Sequence, residues 1–215
     1  IMIDEFQDIA PMFFDLVIGS RRISKDLEFF CVGDDWQAIN SFAGSDLVYF
    51  EQFQNYFSQI KLLEISTNYR SPKSVVKLGN SIMRGKGTPA IPHQSQNGSI
   101  GIIDIQKLEL SGFENEEHGG DLITPALIRI LDVVLQQNIN RNVVLLCRSN
   151  SVPYYVQYKE SMVTTAQGLE KFLEHIKSFI SKEDSARLSI STAHGYKGLE
   201  NDAVIIIDAI EHRYP

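Results

Sequence analysis

Several features are scarce or missing in this 215-residue sequence. The only two cysteines, Cys31 and Cys147, each stand late in an apolar run, which favours reduced, buried thiols in a cytoplasmic protein over a disulfide or a metal site. No apolar run is long enough to span a bilayer, so we expect no membrane association. The formal net charge of −7 gives no general attraction to nucleic acid, so any such contact must be local.

Motifs for several common catalytic sites are also missing. The stretch 84–88, Arg-Gly-Lys-Gly-Thr, superficially resembles a phosphate loop, but it lacks the G-x-x-x-x-G-K-S/T spacing and follows a helix-like segment instead of a strand. No serine or cysteine triad signature is present. His194 has no second His or Cys at ligand spacing, which argues against a zinc cage. The chain opens inside a strand-like run without an initiator Met, so we expect it to be a fragment of a longer protein.

The sequence does contain a regular order of predicted strands and helices. Apolar strand-like runs alternate with helix-like segments, which predicts an α/β fold of parallel sheets flanked by helices. The strand candidates are 1–4, 27–33, 61–67, 99–106, 142–148, 187–192 and 203–208. The helix candidates are 9–19, 47–57, 72–83, 122–136 and 168–181. Segments 84–98 and 114–120 are predicted to be exposed connections.

The order of these segments predicts two lobes. We place the boundary after the third strand, which gives one domain over residues 1–70 and a second over 71–215. The first would hold only three strands, too few for a complete doubly wound domain. No internal repeat or low-complexity segment is apparent.

The first chemical motif is residues 1–8, Ile-Met-Ile-Asp-Glu-Phe-Gln-Asp. A short apolar run that ends on two carboxylates predicts a buried strand delivering Asp4 and Glu5 to the sheet edge where α/β proteins bind ligands. In a nucleotide hydrolase, the Asp would hold magnesium through water and the Glu would orient the attacking water. The alternative is a strand that merely runs into an acidic turn. A glycosidase pair is disfavoured, because successive strand residues point to opposite faces.

The second motif lies within residues 31–45, where a strand ends at Gly-Asp-Asp before a polar and aromatic turn. Gln37 can donate and accept hydrogen bonds at once, which suits a contact to both water and a phosphate oxygen. Phe42 lies close to two small residues and could stack on a base. Packing in the core or at its rim is the alternative role for Phe42 and Trp36.

The third and fourth motifs follow two further strands. In residues 67–71, Arg70 could reach a phosphate with its planar fork and Tyr69 could stack on a base, although a helix cap at Ser71 beside a surface Arg is the alternative. In residues 189–200, Gly195 and Gly198 would let backbone amides approach a phosphate.

Taken together and in order, residues 4–8, 33–39, 68–71 and 192–200 resemble motifs II, III, IV and V of the UvrD/Rep family of superfamily 1 DNA helicases. The Asp-Asp-Trp-Gln wording of residues 34–37, and the short span between residues 150 and 187, are most similar to the helicase IV branch. This resemblance implies a RecA-like P-loop NTPase fold, with two lobes closing on ATP and only a minimal insertion around 150–187.

The resemblance also implies roles for individual residues. Asp4 would bind Mg²⁺ through water, and Glu5 would activate the hydrolytic water. Gln37 and Arg70 would contact the γ-phosphate. The remaining matches fall into a nucleotide-binding set and a DNA-binding set. In the nucleotide-binding set, Tyr69 would stack on adenine, and Gly198 and Glu200 would contact the ribose. The DNA-binding set consists of Phe42, Thr192 and His194.

The implied activity is ATP-driven 3′–5′ movement on single-stranded DNA and unwinding at duplex junctions, with repair or replication proteins as partners. Two departures weaken the inferred DNA contact, because Asn40 stands where many relatives carry Tyr, and Ala43 where they carry Arg. The phosphate loop and motif VI are absent from these 215 residues, so we expect the isolated chain to be inactive. The alternative function is a catalytically dead, helicase-like module that binds DNA or protein.

Overall fold

The computed structural model describes residues 1–108, 123–137, 140–150, 165–207 and 209. Contacts divide the chain into two compact units, one over Ile1–Ile102 and one from Ile103 onward. Among the described residues, the strands are β1 Met2–Ile3, β2 Phe30–Cys31, β3 Thr67–Asn68, β4 Ile91–Pro92, β5 Val143–Cys147, β6 Leu188–Thr192 and β7 Ala203–Ile206. The helices are α1 Pro11–Ile23, α2 Val48–Glu51, α3 Phe53–Tyr56, α4 Lys73–Ile82, α5 Ile123–Gln137, α6 Thr165–Lys177 and α7 Lys182–Ala186.

The first unit contains two small parallel sheets. β1 pairs with β2 in the register Met2↔Phe30 and Ile3↔Cys31, and β3 pairs with β4. The core beneath β1 and β2 is aromatic: Phe6 is 1% exposed, and its ring meets those of Phe14 and Phe53 edge-on. Burying a side chain of this size contributes about 1.5–3 kcal/mol, so this core anchors the turn that follows β1.

The second unit contains a three-stranded parallel sheet in the order β6-β5-β7. The central strand β5 is almost entirely apolar and buried, as expected for a parallel strand covered on both faces. Helices α5 and α6 supply apolar residues at helical spacing, which form one core with β5. These are Leu127, Leu131 and Leu135 from α5, and Leu169, Phe172 and Ile176 from α6.

The α/β prediction is confirmed, while several local predictions were wrong. Residues 99–104 form no strand, and a 3₁₀ turn over Ile105–Lys107 follows them. The β-branched composition there favours a strand, but no strand among the described residues pairs with this stretch. Conversely, the predicted loop 84–98 contains β4, whose Ile91 amide donates to the Ser66 carbonyl at 2.7 Å.

Other boundaries shifted because pairing and capping decide where elements end. Of the predicted strand 61–67, only Thr67 lies in β3. The helix predicted over 47–57 breaks at Gln52 into α2 and α3. Residues 114–120 and one part of the predicted insertion, 151–164, lie outside the described residues. Along the described residues, no helix combines the length and apolar character needed to cross a membrane.

Candidate nucleotide and DNA site

The turn after β1 presents two carboxylates. Asp4 and Glu5 are both exposed, and the Glu5 amide donates to Oδ1 of Asp4 at 2.9 Å. Glu5 has φ 53° and ψ 40°, a left-handed conformation that residues other than glycine seldom adopt. The buried Phe6 ring and the 3₁₀ turn Phe6–Asp8 hold the backbone in this conformation. A strained backbone at a candidate catalytic residue is typical of functional sites.

The turn after β2 brings Gln37 close to an acidic side chain. Oδ1 of Asp34 accepts from the Trp36 amide at 3.0 Å, which caps the 3₁₀ turn Asp35–Gln37. Oδ2 of Asp34 accepts from Nε2 of Gln37 at 2.7 Å. Gln37 itself is exposed. The amide that the sequence assigns to phosphate sensing therefore lies on the surface, held by a neighbouring carboxylate.

The two turns are joined by Gln7, which the sequence analysis did not single out. Nε2 of Gln7 donates to Oε2 of Glu5 at 2.5 Å, and Oε1 of Gln7 accepts from the Asp34 amide at 2.9 Å. Glu5 and Gln37 are therefore connected through a continuous chain of hydrogen bonds. The sequence offered one signal, a polar residue between the buried Phe6 and Ile9.

The same region continues to Phe42. Asn40 donates from Nδ2 to Oδ2 of Asp8 at 2.9 Å, and the Asp46 amide donates to the Ile9 carbonyl at 3.2 Å. Between these two bonds, the 3₁₀ turn Ser41–Ala43 holds Phe42 with 77% of its surface exposed. The alternative role of Phe42 in core packing is therefore excluded within this unit.

Tyr69 and Arg70 lie at the carboxyl end of β3. Both side chains are exposed, and Nε2 of Gln94 donates to both of their carbonyls, at 2.9 Å and 3.0 Å. The Tyr69 ring lies 4.5 Å from the ring of His93. The expectation of a helix cap at Ser71 was wrong, since Pro72 occupies the N-cap of α4.

The fourth motif forms the turn after β6 in the second unit. The Gly195 amide donates to Oγ1 of Thr192 at 3.0 Å, and a Cβ at Gly195 would lie 3.1 Å from that oxygen. Gly198 has φ 79°, which favours glycine. His194 and Glu200 are exposed on this turn.

Tyr196 and Asn201, beside this turn, bond to each other. Nδ2 of Asn201 donates to the Tyr196 hydroxyl at 3.1 Å, and that hydroxyl donates to the Glu200 carbonyl at 2.9 Å. These two residues therefore stabilise the turn that presents Glu200. Their presence has a local structural reason.

The structure thus brings together Asp4, Glu5, Gln37 and Phe42 in one hydrogen-bonded region. Tyr69 and Arg70 lie on the second sheet of the same unit. The residues of the fourth motif, Thr192, His194, Gly198 and Glu200, belong to the other unit. The convergence of all three groups on one nucleotide stays a prediction.

The chemistry of Asp4 fits the magnesium that the motif implies. An exposed carboxylate at the end of a strand is a hard oxygen ligand, and Mg²⁺ commonly takes one or two carboxylates together with waters and phosphates. Within the part of the chain that the structure describes, no group of three or more His, Cys, Asp or Glu side chains is arranged to hold a metal. Asp4 therefore fits a Mg²⁺ site that is completed by waters and phosphates better than a site made of protein ligands alone.

Comparison with known proteins supports the same reading. Residues 1–58 match the UvrD/REP helicase N-terminal domain family. DNA helicase IV of Escherichia coli is 31% identical over 127 residues, which are 54% of this chain and 19% of that protein. A probable DNA helicase of Mycoplasma pneumoniae is 24% identical over 100% of this chain and 36% of its own length. The ATP-dependent DNA helicase Rep of Escherichia coli is 27% identical over 60% of this chain and 18% of its own length.

The chain therefore spans no more than 36% of the length of these three relatives. The matched stretch 1–58 includes the Asp4–Glu5 turn, the Gln37 turn and Phe42. The resemblance to the UvrD/Rep family is therefore confirmed for residues 1–58, which match that family's N-terminal helicase domain, while the assignment of the four motifs stays a prediction.

Proposed function

We infer that the chain is part of an ATP-dependent DNA helicase that moves 3′ to 5′ on single-stranded DNA. The observation that carries this proposal is the hydrogen-bonded path from Glu5 through Gln7 and Asp34 to Gln37. The segment beyond Gln37 leads directly to the exposed Phe42. A change in the contacts of Gln37 would therefore be passed along a short, continuous segment to an aromatic ring able to stack on a base.

Each side chain has a proposed role in hydrolysis. Mg²⁺ held in part by Asp4 would neutralise charge on the phosphates. Glu5 would accept a proton from the attacking water and orient it. Gln37, once its amide leaves Asp34 for a phosphate oxygen, would sense the γ-phosphate, and the planar fork of Arg70 would stabilise the charge that develops there. A Lys from a phosphate loop is also required for this chemistry, and these 215 residues hold no such loop.

The remaining residues would bind the nucleotide base, the ribose and DNA. Tyr69 is 63% exposed, so its face is accessible for stacking on adenine. Gly198 and Glu200 would meet the ribose. Thr192 and His194, on the turn after β6, would contact single-stranded DNA, with the duplex junction ahead of them as the substrate. ATP and Mg²⁺ would be required throughout.

The test uses the full-length protein that carries this chain. Glu5→Gln keeps the size and polarity of the side chain but removes the base, so DNA-stimulated ATP hydrolysis should fall at least about 100-fold while ATP binding is retained. Glu51→Gln, at an exposed position of α2, is the matched control and should hydrolyse ATP at the normal rate. Unchanged hydrolysis in Glu5→Gln would refute the proposal.

A catalytically dead binding module is the second candidate, and a phosphate loop in the whole protein would decide between the two. The gene sequence upstream of Ile1 distinguishes the two. A G-x-x-x-x-G-K-S/T loop there supports the enzyme, and a degenerate loop supports the binding module. We also expect the isolated 215-residue chain to hydrolyse no ATP, because the groups that hold the β- and γ-phosphates are incomplete in it.

A further inference from the structure

Gln7 is a polar side chain in a position that the core would otherwise fill with an apolar one. It is 1% exposed, and its neighbours Phe6 and Ile9 both belong to the core of the first unit. Burying an amide without partners costs free energy, so both of its ends are expected to be hydrogen-bonded. The structure shows that they are, and the partners belong to two different motifs.

The amide is used in both directions. Its nitrogen donates to Oε2 of Glu5 at 2.5 Å, and its oxygen accepts from the Asp34 amide at 2.9 Å. One bond therefore ends on the carboxylate that we assign to the attacking water. The other ends on the backbone of the turn that carries Gln37, which fixes the distance between these two turns.

Gly33 provides the room for this arrangement. A Cβ at residue 33 would lie 2.7 Å from Oε1 of Gln7 and 2.7 Å from Cε2 of Phe50. Both separations are shorter than real Cβ contacts, so any larger residue would displace the amide or the ring. The close approach explains a glycine at this position, where φ is not positive and its backbone freedom is not required.

Glu5 needs such a support because its own turn leaves the carboxylate exposed. A side chain on a left-handed residue at the surface has several rotamers, and only one of them points at a given water molecule. A buried amide with a single orientation removes that freedom. Orientation of this kind contributes to the rate without adding any contact to the substrate.

We propose that Gln7 is a positioning residue for hydrolysis, which holds the Glu5 carboxylate in place and fixes it to the Asp34 turn. This inference rests on the proposed function of Glu5. Gln7 is buried and acts through Glu5, so its removal should lower the rate of the chemical step and leave nucleotide affinity unchanged.

The experiment measures kcat and KM for ATP in the full-length protein at saturating single-stranded DNA. Gln7→Met keeps the length of the side chain and removes both hydrogen bonds. We expect kcat to fall about 10–100-fold, with KM changed less than about threefold. Gln7→Glu is the second variant, because it keeps an acceptor for the Asp34 amide and, when ionised, replaces the donor facing Glu5 with a negatively charged oxygen. It should show the same split between kcat and KM even if Gln7→Met folds poorly.

Asn80→Ala is the matched control. The side-chain amide of Asn80 also makes two hydrogen bonds. Nδ2 of Asn80 donates to the Ala90 carbonyl at 2.9 Å, and Oδ1 of Asn80 accepts from the Ala90 backbone amide at 3.0 Å. It lies on α4, outside the proposed catalytic groups. We expect Asn80→Ala to lower the melting temperature without lowering kcat per folded molecule.

The outcomes separate this inference from the proposed function. Loss of kcat in both Gln7 variants, with Glu5→Gln inactive and Asn80→Ala active, supports the positioning role. Normal kcat in the Gln7 variants beside an inactive Glu5→Gln would overturn the positioning role and leave the helicase proposal standing. An equal loss of kcat in Asn80→Ala would also overturn it, since general destabilisation would then be the cause. Full activity of Glu5→Gln would refute the proposed function itself.

Discussion

Nδ2 of Asn40 donates a 2.9 Å hydrogen bond to Oδ2 of Asp8. The resemblance to the UvrD/Rep family places Asn40 where a Tyr was expected. The Asn40 side chain has no aromatic ring that could stack on a base. Its hydrogen bond instead connects the turn before Phe42 to the turn that carries Glu5. If this segment binds DNA, we therefore expect base stacking to depend on the exposed Phe42.

The first prediction concerns Phe42. Phe42→Ala in the full-length protein should weaken binding of single-stranded DNA by about 1–3 kcal/mol, roughly 5- to 150-fold, because one stacked base is lost. Phe42→Trp is the control and should bind normally, since it keeps an aromatic face. Fluorescence anisotropy of a labelled oligonucleotide measures the DNA affinity. An equal loss of ATP affinity in Phe42→Ala would contradict the prediction and indicate misfolding.

The second prediction concerns the contact between the Gln37 turn and the segment after α4. Nε1 of Trp36 donates to the Lys86 carbonyl at 3.0 Å, and a Cβ on Gly87 would lie 2.8 Å from that nitrogen. Gly85 and Gly87 both have positive φ, 82° and 61°, but nothing lies within 4 Å of a Cβ on Gly85. Both alanine variants therefore carry backbone strain of about 1 kcal/mol, and only Gly87→Ala also disturbs Trp36.

Trp36 is the single tryptophan of the chain, so its fluorescence reports on this contact. Urea unfolding of the 215-residue chain should show a larger loss of stability for Gly87→Ala than for Gly85→Ala. The emission maximum of the folded protein should shift only in Gly87→Ala. Identical spectra and stabilities for the two variants would show that this contact does not form in solution.

The third prediction concerns acid stability of the second unit. Hydrogen bonds from Ser181 and then from Arg187 hold the pKa of Asp184 below its ordinary value of 3.8. Arg187 also donates to the carbonyls of Leu135 and Arg141, so this carboxylate fixes a cation that joins three segments. Because the pKa is lower in the folded state, the stabilisation is fully present above the ordinary pKa and is lost as pH falls through the folded value.

Asp184→Asn should therefore lower stability at pH 7 and reduce the loss of stability that the wild type shows below about pH 4. Glu183→Gln, at the neighbouring exposed position of α7, is the control and should keep the acid dependence of the wild type. Chemical denaturation at a series of pH values measures both effects. An Asp184→Asn curve parallel to that of the wild type would exclude this carboxylate as the cause.

The sequence predicted those elements whose signal is local. The second unit shows this best, because β5 is one buried apolar run and α5 and α6 place apolar residues at helical spacing. The motif turns were also predictable, since carboxylates and glycines after apolar runs indicate strand ends at a binding edge. Cys147 is buried, as its position in an apolar run predicted, whereas Cys31 is only half-buried, so that prediction was wrong for Cys31.

The failures at residues 84–104 and at Gln7 involve partners that are distant along the chain. Residues 99–104 have strand composition but no strand partner among the described residues, whereas β4 forms in a loop-like sequence because Ser66 and Asn68 lie beside it. Gln7 was missed for the same reason. Its sequence context shows only a polar residue in an apolar run, while its partner Asp34 lies 27 residues away.

The sequence by itself therefore determined the α/β class, the resemblance to the UvrD/Rep family and the chemical types of the candidate side chains. The tertiary structure alone decided which of those side chains are connected and how each is held. The physical reason is that periodicity and strand-end chemistry depend on neighbours along the chain. Hydrogen-bond partners such as Gln7 with Asp34, and Asn40 with Asp8, depend on packing around Phe6 that brings distant turns together.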